Sequence, residues 1–192
     1  MQITIRTILF VSIALISCNN TATEDRSAAI KKDSTVTVDD PKPVAIPVVL
    51  KDEMINEKTL MSNQKLHKAP KIDKETYKRL YLNQIDSTGK DAGSFIYHVV
   101  DTLCSKPNLT ILLIGREYES ENFAWIAVYD GQRLIDSKTV YYDNAEGFLS
   151  IETSIKNNQL SVMTYNEYAE NEKDKKVTLT YRLDENNKII KL

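Results

Sequence analysis

The sequence predicts a mainly β protein, an antiparallel meander of about seven or eight strands with one short helix before it. Two observations predict this fold class. All ten tyrosines, the one tryptophan and all five glycines lie between Tyr77 and Tyr181. The same region is a series of short β-branched and aromatic runs separated by turn residues, and short turns make successive strands antiparallel neighbours. A small barrel, a curled sheet and a sandwich of two packed sheets all satisfy this pattern.

The pattern of each segment predicts its own element. Asp73 can cap a short N-terminal helix over residues 74–83, because its side chain can accept a hydrogen bond from the first helical turn. Strands are predicted at residues 94–103, 110–118, 123–129, 134–142, 148–155, 160–168, 177–183 and 188–192. Residues 111–114 are an apolar run typical of a strand covered on both faces, whereas residues 177–183 alternate, which indicates one buried and one wet face.

Four dipeptides predict the tight turns. Asp130-Gly131 is a strong hairpin signal, since both residues tolerate a positive φ. Asn157-Asn158 predicts a second tight turn, and Pro107-Asn108 and Asn186-Asn187 predict two more.

The region before Pro70 differs in composition. Residues 19–70 contain no aromatic residue and no glycine, and they hold four of the five prolines. Such a segment buries too little apolar surface to offset its ordering entropy. We therefore predict three parts: a signal peptide at 1–17, a lipidated cysteine with a flexible tether at 18–70, and a β-rich globular domain at 71–192. Within the tether, residues 44–50 could dock as an edge strand and residues 53–66 could form a weak helix.

The first eighteen residues are typical of an export signal. One positive charge, Arg6, precedes an apolar core at residues 8–16, which is too short for the roughly 20 residues that span a bilayer. Leu15-Ile16-Ser17-Cys18 then resembles the lipobox of bacterial lipoproteins. The resemblance implies a diacylglyceryl group on the Cys18 sulfur, cleavage before Cys18 and acylation, such as palmitate, of the new amino group. An ordinary secretory signal with a chance cysteine is the alternative.

The resemblance also bears on location. In enterobacterial lipoproteins an Asp after the cysteine favours retention in the inner membrane, so Asn19 favours the cell outer membrane. The composition of the strand-rich region is loosely similar to that of small envelope lipoproteins, including those of Bacteroidetes. With the acyl chains as lipid anchor, Cys104 has no disulfide partner and is expected to be a small buried residue.

Charge argues against one class of partner. The formal net charge is −2, and loss of residues 1–17 removes Arg6 and no acid, which leaves about −3. Nucleic-acid binding needs a clustered basic surface, so we predict no nucleic-acid partner.

The sequence contains no pattern that specifies a reaction. His67 and His98 are the only histidines and lie far apart, His67 in the predicted tether and His98 inside a strand, so we nominate no metal site. No nucleophile elbow, phosphate loop or dinucleotide fingerprint is present, and we nominate no catalytic residue and no cofactor. The acidic turn at residues 143–147 could hold calcium but is more often a solvated turn. Glu117, Glu119 and Glu121 share one face of an extended strand, which more often discourages edge pairing than binds a cation.

Aromatic side chains are the remaining candidates for a binding surface. The members that we nominate are Phe123, Trp125, Tyr129, Tyr141 and Tyr165. Alternation predicts that Phe123, Trp125 and Tyr129 share a face, and that Tyr141 and Tyr142 point to opposite faces. Exposed aromatics of this kind could stack on a glycan or contact a protein, whereas the alternative is that most of them are core.

These observations favour a membrane-anchored envelope lipoprotein with a non-catalytic β domain that binds a protein or glycan. A hydrolase that uses a carboxylate pair is the first alternative, and it predicts two acids in one cleft, one with a raised pKa. A small-molecule carrier is the second, and it predicts a hollow closed barrel.

Overall fold

The structure is a computed structural model that describes residues 48–88, 95–118, 121–144 and 146–192. The predicted signal peptide, the lipobox with Cys18 and the first part of the tether lie outside the described residues, as do Glu119 and Ala145.

The described chain is mainly β, as predicted, and forms one antiparallel sheet of nine strands. In chain order the strands are β1 (Glu53–Ile55), β2 (Ile96–Lys106), β3 (Leu109–Tyr118), β4 (Glu121–Asp130), β5 (Arg133–Asn144), β6 (Leu149–Lys156), β7 (Gln159–Asn166), β8 (Lys176–Leu183) and β9 (Ile189–Lys191). From β2 to β9 each strand pairs with the next, which confirms the meander. The path is not closed, because β2 and β9 do not pair with each other.

Strand β1 enters the sheet where two consecutive strands separate. β5 and β6 pair only through Tyr142 with Ile151 and Asp143 with Ser150. Further along β6, residues Thr153–Ile155 pair with β1 instead. The second half of the meander also approaches the first, since the Ile189 backbone N–H donates to the Asp136 carboxylate at 2.9 Å.

Positive φ angles form the tight turns where the sequence predicts them. Asn157 and Asn158 have φ of 53° and 62° between β6 and β7, and Gly131 has a φ of 58° between β4 and β5. Asn108 and Asn187 are left-handed as well. Asparagine and glycine tolerate this conformation better than other residues, so the dipeptides fix the register of the hairpins.

The helical segments are short. They are a π-helical turn (Lys58–Ser62), α1 (Lys65–Lys68), α2 (Lys74–Arg79), α3 (Leu82–Ile85) and α4 (Glu172–Lys175). Asp73 caps α2 by accepting from the Thr76 N–H at 2.7 Å. Tyr81 has a φ of 53°, so the helix predicted over residues 74–83 is interrupted and continues as α3.

Residues 70–72 run along the free edge of β2. The Val99 N–H donates to the Pro70 carbonyl at 3.2 Å, and the Ile72 N–H donates to the Tyr97 carbonyl at 2.8 Å. These bonds cover an edge that would otherwise expose unpaired backbone groups. Along residues 70–72 the chain passes from the face of β2 on which α1 lies to the opposite face, on which α2 and α3 lie.

The two faces of β2 to β4 bury different cores, as alternation requires. The first core joins both halves of the meander and includes Leu113, Ile126 and Leu160. The second core lies beneath α2 and α3 and includes Ile114 and Trp125. The prediction that residues 111–114 are covered on both faces is therefore confirmed, and Cys104 is buried as expected.

Residues 48–70 differ from the predicted tether. Leu50, Ile55, Leu60 and Leu66 are all buried, the first three in the first core. Of the edge strand predicted at 44–50, residues 44–47 lie outside the described residues and residues 48–50 are not in a strand. The helix predicted at 53–66 is replaced by β1, the π-helical turn and α1. Four large aliphatic side chains at spacings of five or six residues are enough to bind an otherwise polar segment to the sheet.

Candidate functional site

The structure places most of the five nominated aromatic residues in the interior. Trp125, Tyr129 and Tyr141 are buried, and Phe123 is half-buried. The predicted faces are nevertheless correct: Phe123, Trp125 and Tyr129 share the second core, and Tyr141 lies in the first core. The four residues therefore stabilise the domain and do not offer a continuous surface. Tyr165 alone of the five is exposed.

Tyr165 belongs to a group of exposed aromatic rings at one end of the β6–β7 hairpin. We call Phe148, Tyr165 and Tyr168 the aromatic patch. Tyr168 is 69% exposed and Phe148 is 40% exposed, although their ring centroids are only 5.2 Å apart. The Glu167 N–H holds the two ring-bearing segments together by donating to the Phe148 carbonyl at 2.8 Å. Within the patch, Phe148 and Tyr168 are therefore in direct ring contact, and a backbone hydrogen bond joins the segments that carry them.

Polar groups border the aromatic patch. The Tyr165 hydroxyl donates to Glu167, and the hydrogen bond raises the pKa of the tyrosine and lowers that of the carboxyl. Lys175 of α4 lies 3.5 Å from Glu167 and 2.8 Å from Glu172. Flat rings beside donors and acceptors are the combination that recognition surfaces use, since the rings supply contact area and the polar groups supply orientation.

An open cavity of about 510 Å³ lies between β1, α1 and β2. Its lining consists of the polar residues Glu53, Thr59, Asn63, Lys65 and Lys68 and of the apolar residues Ala69 and Val100. Lys65 bridges Glu53 at 3.1 Å and Asp101 at 2.9 Å, and Lys51 contacts Asp101 at 2.7 Å. Burial would raise the pKa of Asp101, but hydrogen bonds from the two lysines outweigh it and hold the pKa below its ordinary value. These ion pairs connect residues 51–65 to the sheet.

Beside this cavity the fold brings together the only two histidines. We call His67, His98 and Glu117 the histidine–glutamate cluster. His67 Nδ1 lies 2.7 Å from Glu117 Oε1, and His98 Nε2 lies 3.3 Å from the same oxygen. His98 is 1% exposed and His67 is half exposed. As they stand, no three His, Cys, Asp or Glu side chains in the described part of the chain are arranged as the ligands of a metal ion.

This cluster does not follow from the sequence analysis, because His67 falls in the predicted tether. The sequence groups Glu117 with Glu119 and Glu121. In the structure Glu121 accepts a hydrogen bond from the Tyr142 hydroxyl at 3.3 Å, and Glu119 lies outside the described residues. The available signal was Leu66 next to His67, since a buried leucine in residues 19–70 would have placed its neighbour near the sheet.

The second core contains a buried charged group. Arg116 on β3 is 1% exposed, and its Nη1 donates to Asp86 Oδ2 at 2.7 Å and to Thr88 Oγ1 at 3.1 Å. The Tyr97 hydroxyl donates to the same Asp86 oxygen at 2.8 Å. The rings of Phe95 and Phe123 lie on the guanidinium, each with its centroid 4.2 Å from Cζ. This arrangement neutralises the charge within the interior.

One acid of the turn at residues 143–147 has a raised pKa. Burial raises the pKa of Asp143, and the negative charge of Glu57 raises it further. Asp143 does not line the cavity described above. The turn at residues 143–147 includes Ala145, which lies outside the described residues, so the calcium hypothesis stays a prediction.

Comparisons with protein-family models, with curated proteins and with solved structures find no match to this chain. Among the described residues, no helix is both long and apolar enough to cross a membrane.

Proposed function

We propose that the protein is a membrane-anchored envelope lipoprotein whose β domain is a non-catalytic binding module for a protein or glycan partner. The observation that carries the binding role is the aromatic patch, in which Tyr168 is 69% exposed beside Phe148. Exposing large rings to water is unfavourable, and clustered exposed apolar side chains mark interaction surfaces. The anchor rests on the resemblance of Leu15-Ile16-Ser17-Cys18 to a lipobox.

The two alternatives have less support. A carrier with a hollow barrel needs a closed sheet, whereas this sheet is open and aliphatic side chains such as Leu113, Ile126 and Leu160 fill the first core. A hydrolase with a carboxylate pair gains some support from the raised pKa of Asp143 beside Glu57. Neither acid lines the open cavity, so this pair lacks a demonstrated place for substrate.

Photo-crosslinking in the native envelope tests the binding role. A photoreactive residue replaces Tyr168 in one strain and Val49 in another, because Val49 is equally exposed (64%) but lies outside the aromatic patch. We expect position 168, and not position 49, to give a discrete protein adduct if the partner is a protein.

If the partner is a glycan, the Cys18→Ala chain, which lacks the site of the lipid, should bind envelope polysaccharide in a pull-down assay. Tyr168→Ala should then weaken binding and Val49→Ala should leave it unchanged. If position 168 gives no specific adduct and glycan binding does not depend on Tyr168, the proposed binding role is wrong.

Labelling of cells with an alkyne fatty acid tests the anchor separately. We expect incorporation into the wild type and into Cys104→Ala, which retains Cys18, and no incorporation into Cys18→Ala. Equal labelling of wild type and Cys18→Ala would show that the lipid is not on Cys18. Because Cys104 is the only other cysteine, it is the matched control.

A further inference from the structure

A hydrogen bond of His98 determines which of its two ring nitrogens carries a proton. His98 Nδ1 lies 2.9 Å from the Ala69 carbonyl oxygen. A carbonyl oxygen can only accept, so Nδ1 carries the proton and Nε2 of the neutral ring presents a lone pair. The side chain is 1% exposed, so water does not reach this nitrogen freely.

That lone pair faces another acceptor. His98 Nε2 and Glu117 Oε1 are 3.3 Å apart, and Nε2 is buried without a hydrogen-bond partner among the described residues. The same Glu117 oxygen also lies 2.7 Å from His67 Nδ1. A buried lone pair that faces a carboxylate oxygen is repelled by it and has lost its hydration. A cation between Nε2 and Oε1 would remove both unfavourable effects.

We propose that His67, His98 and Glu117 form a binding site for a divalent transition metal ion, with Zn²⁺ as the best-matched class. Two imidazoles and one carboxylate are a common ligand set for such ions, whereas calcium and magnesium prefer oxygen ligands alone. In metal-binding histidines the ring nitrogen that does not bind the ion usually donates a hydrogen bond to a carbonyl or carboxylate, which fixes the ring and its tautomer. The bond from His98 Nδ1 to the Ala69 carbonyl is of this kind.

The spacing of the ligands fits this proposal with one adjustment. Two ligands at about 2.1 Å from a tetrahedral ion are roughly 3.4 Å apart. The separation of His98 Nε2 and Glu117 Oε1, 3.3 Å, already has this value. His67 Nδ1, at 2.7 Å from the same oxygen, must withdraw slightly to admit the ion. His67 is on the short helix α1 and is half exposed, so it can rotate and leave a fourth position open to water.

The site is independent of the aromatic patch. It is built from α1, β2 and β3, whereas the patch lies on the β6–β7 hairpin, so the failure of either proposal does not affect the other. Its expected consequence is structural: an ion held by His67 and Glu117 would fasten α1 to the sheet and raise the stability of the folded chain.

Metal titration of the untagged full chain, with Cys18→Ser to remove the lipid and its thiol, tests the site. After chelator treatment, the chain is titrated with ZnCl₂ by calorimetry and with CoCl₂ by visible absorption. We expect one ion per chain, a ligand-field spectrum typical of low coordination, and a rise in Tm with Zn²⁺.

His67→Ala and Glu117→Gln should each weaken Zn²⁺ binding by at least about tenfold. Loss of a residue that only hydrogen-bonds to a metal ligand already has an effect of this size, and these two residues are proposed as ligands themselves. Lys68→Ala, next to His67 and also exposed, should bind as the wild type does. His98 stays unchanged in these variants because its burial makes a folding defect hard to separate from loss of a ligand.

Two results would overturn the proposal. One is the absence of both a cobalt spectrum and zinc stabilisation in the folded protein. The other is Zn²⁺ binding by His67→Ala that equals binding by the wild type.

Discussion

Arg116 illustrates at the residue scale how the fold tolerates a charge in its interior. The guanidinium is 1% exposed, and Asp86, itself 3% exposed, is its charged partner. Removing both ions from water is costly, and the pair repays this cost only through close hydrogen bonds and the contact of two phenylalanine rings. The bond from Tyr97 adds a neutral donor to the same carboxylate oxygen. Asp86 is therefore the residue on which this group depends.

We predict that Asp86→Ala destabilises the protein by about 3–5 kcal/mol, because it leaves the Arg116 charge buried and unpaired. Tyr97→Phe removes one hydrogen bond from a neutral donor to the charged carboxylate and should cost about 1.5–3 kcal/mol. Urea denaturation of the two variants and the wild type measures both values. A loss for Asp86→Ala no larger than that for Tyr97→Phe would contradict the pairing described here.

The same carboxylate predicts a pH dependence. Burial would raise the pKa of Asp86, but hydrogen bonds from Thr88, Tyr97 and Arg116 outweigh it and hold the pKa below the ordinary value. Because this pKa is lower in the folded state than in the unfolded state, ionised Asp86 stabilises the fold. The stabilisation is fully present above the unfolded-state pKa of about 3.9, and it is lost as the pH falls through the folded-state pKa.

The wild type should therefore exceed Asp86→Asn in unfolding free energy by a constant amount above about pH 5, and the difference should shrink below about pH 4. Urea denaturation at several pH values measures the difference directly. Because other acids titrate alike in both proteins, a difference that stays constant down to acid pH would rule out Asp86 as the source.

At the scale of elements, the contact of α1 with the sheet depends on the absence of a side chain. A Cβ atom on Gly115 of β3 would lie 2.2 Å from Leu66 Cδ1 and 3.0 Å from Val100 Cγ2. Leu66 is fully buried, so it has little room to withdraw. Gly115 therefore sets how closely α1, and with it His67, approaches the strands.

We predict that Gly115→Ala destabilises the domain by about 1–3 kcal/mol through overpacking, and that Leu66→Ala costs about 2–5 kcal/mol through the cavity it leaves. The double variant should lose less than the sum, because the new methyl group occupies part of that cavity. Denaturation of all four proteins completes the cycle. Simple additivity would mean that the two residues do not share the contact.

At the scale of the whole molecule, the sequence predicts what depends on local patterns. The strands, their order and the tight turns follow from alternation and from residues such as Asn157 and Gly131 that accept a positive φ. The burial of the second face does not follow from these patterns. Alternation shows which residues share a face, but it does not predict that α2 and α3 cover Trp125 and Tyr129. Of the five nominated aromatic residues only Tyr165 is exposed. The histidine–glutamate cluster does not follow from the sequence either, because it joins residues from three separate elements.

The largest departure from the sequence prediction, the packing of residues 48–70, has a direct consequence for where the domain begins. The compact unit extends from Ala45 to Leu192, and Leu50, Ile55, Leu60 and Leu66 complete its interior. At about 1.5–3 kcal/mol for each buried aliphatic side chain, the four contribute about 6–12 kcal/mol, which is comparable to the roughly 5–15 kcal/mol that stabilises a typical domain.

We therefore predict that a chain of residues 45–192 folds cooperatively and that a chain of residues 71–192 does not. The shorter chain should expose the first core, lose near-UV circular dichroism and bind a hydrophobic dye, because β6 also loses its partner β1. In the longer chain, Leu60→Ala should lower the urea midpoint, whereas Val49→Ala, at a position 64% exposed, should not. A cooperative urea transition of the 71–192 chain at the midpoint of the longer one would mean that residues 48–70 pack without stabilising the sheet.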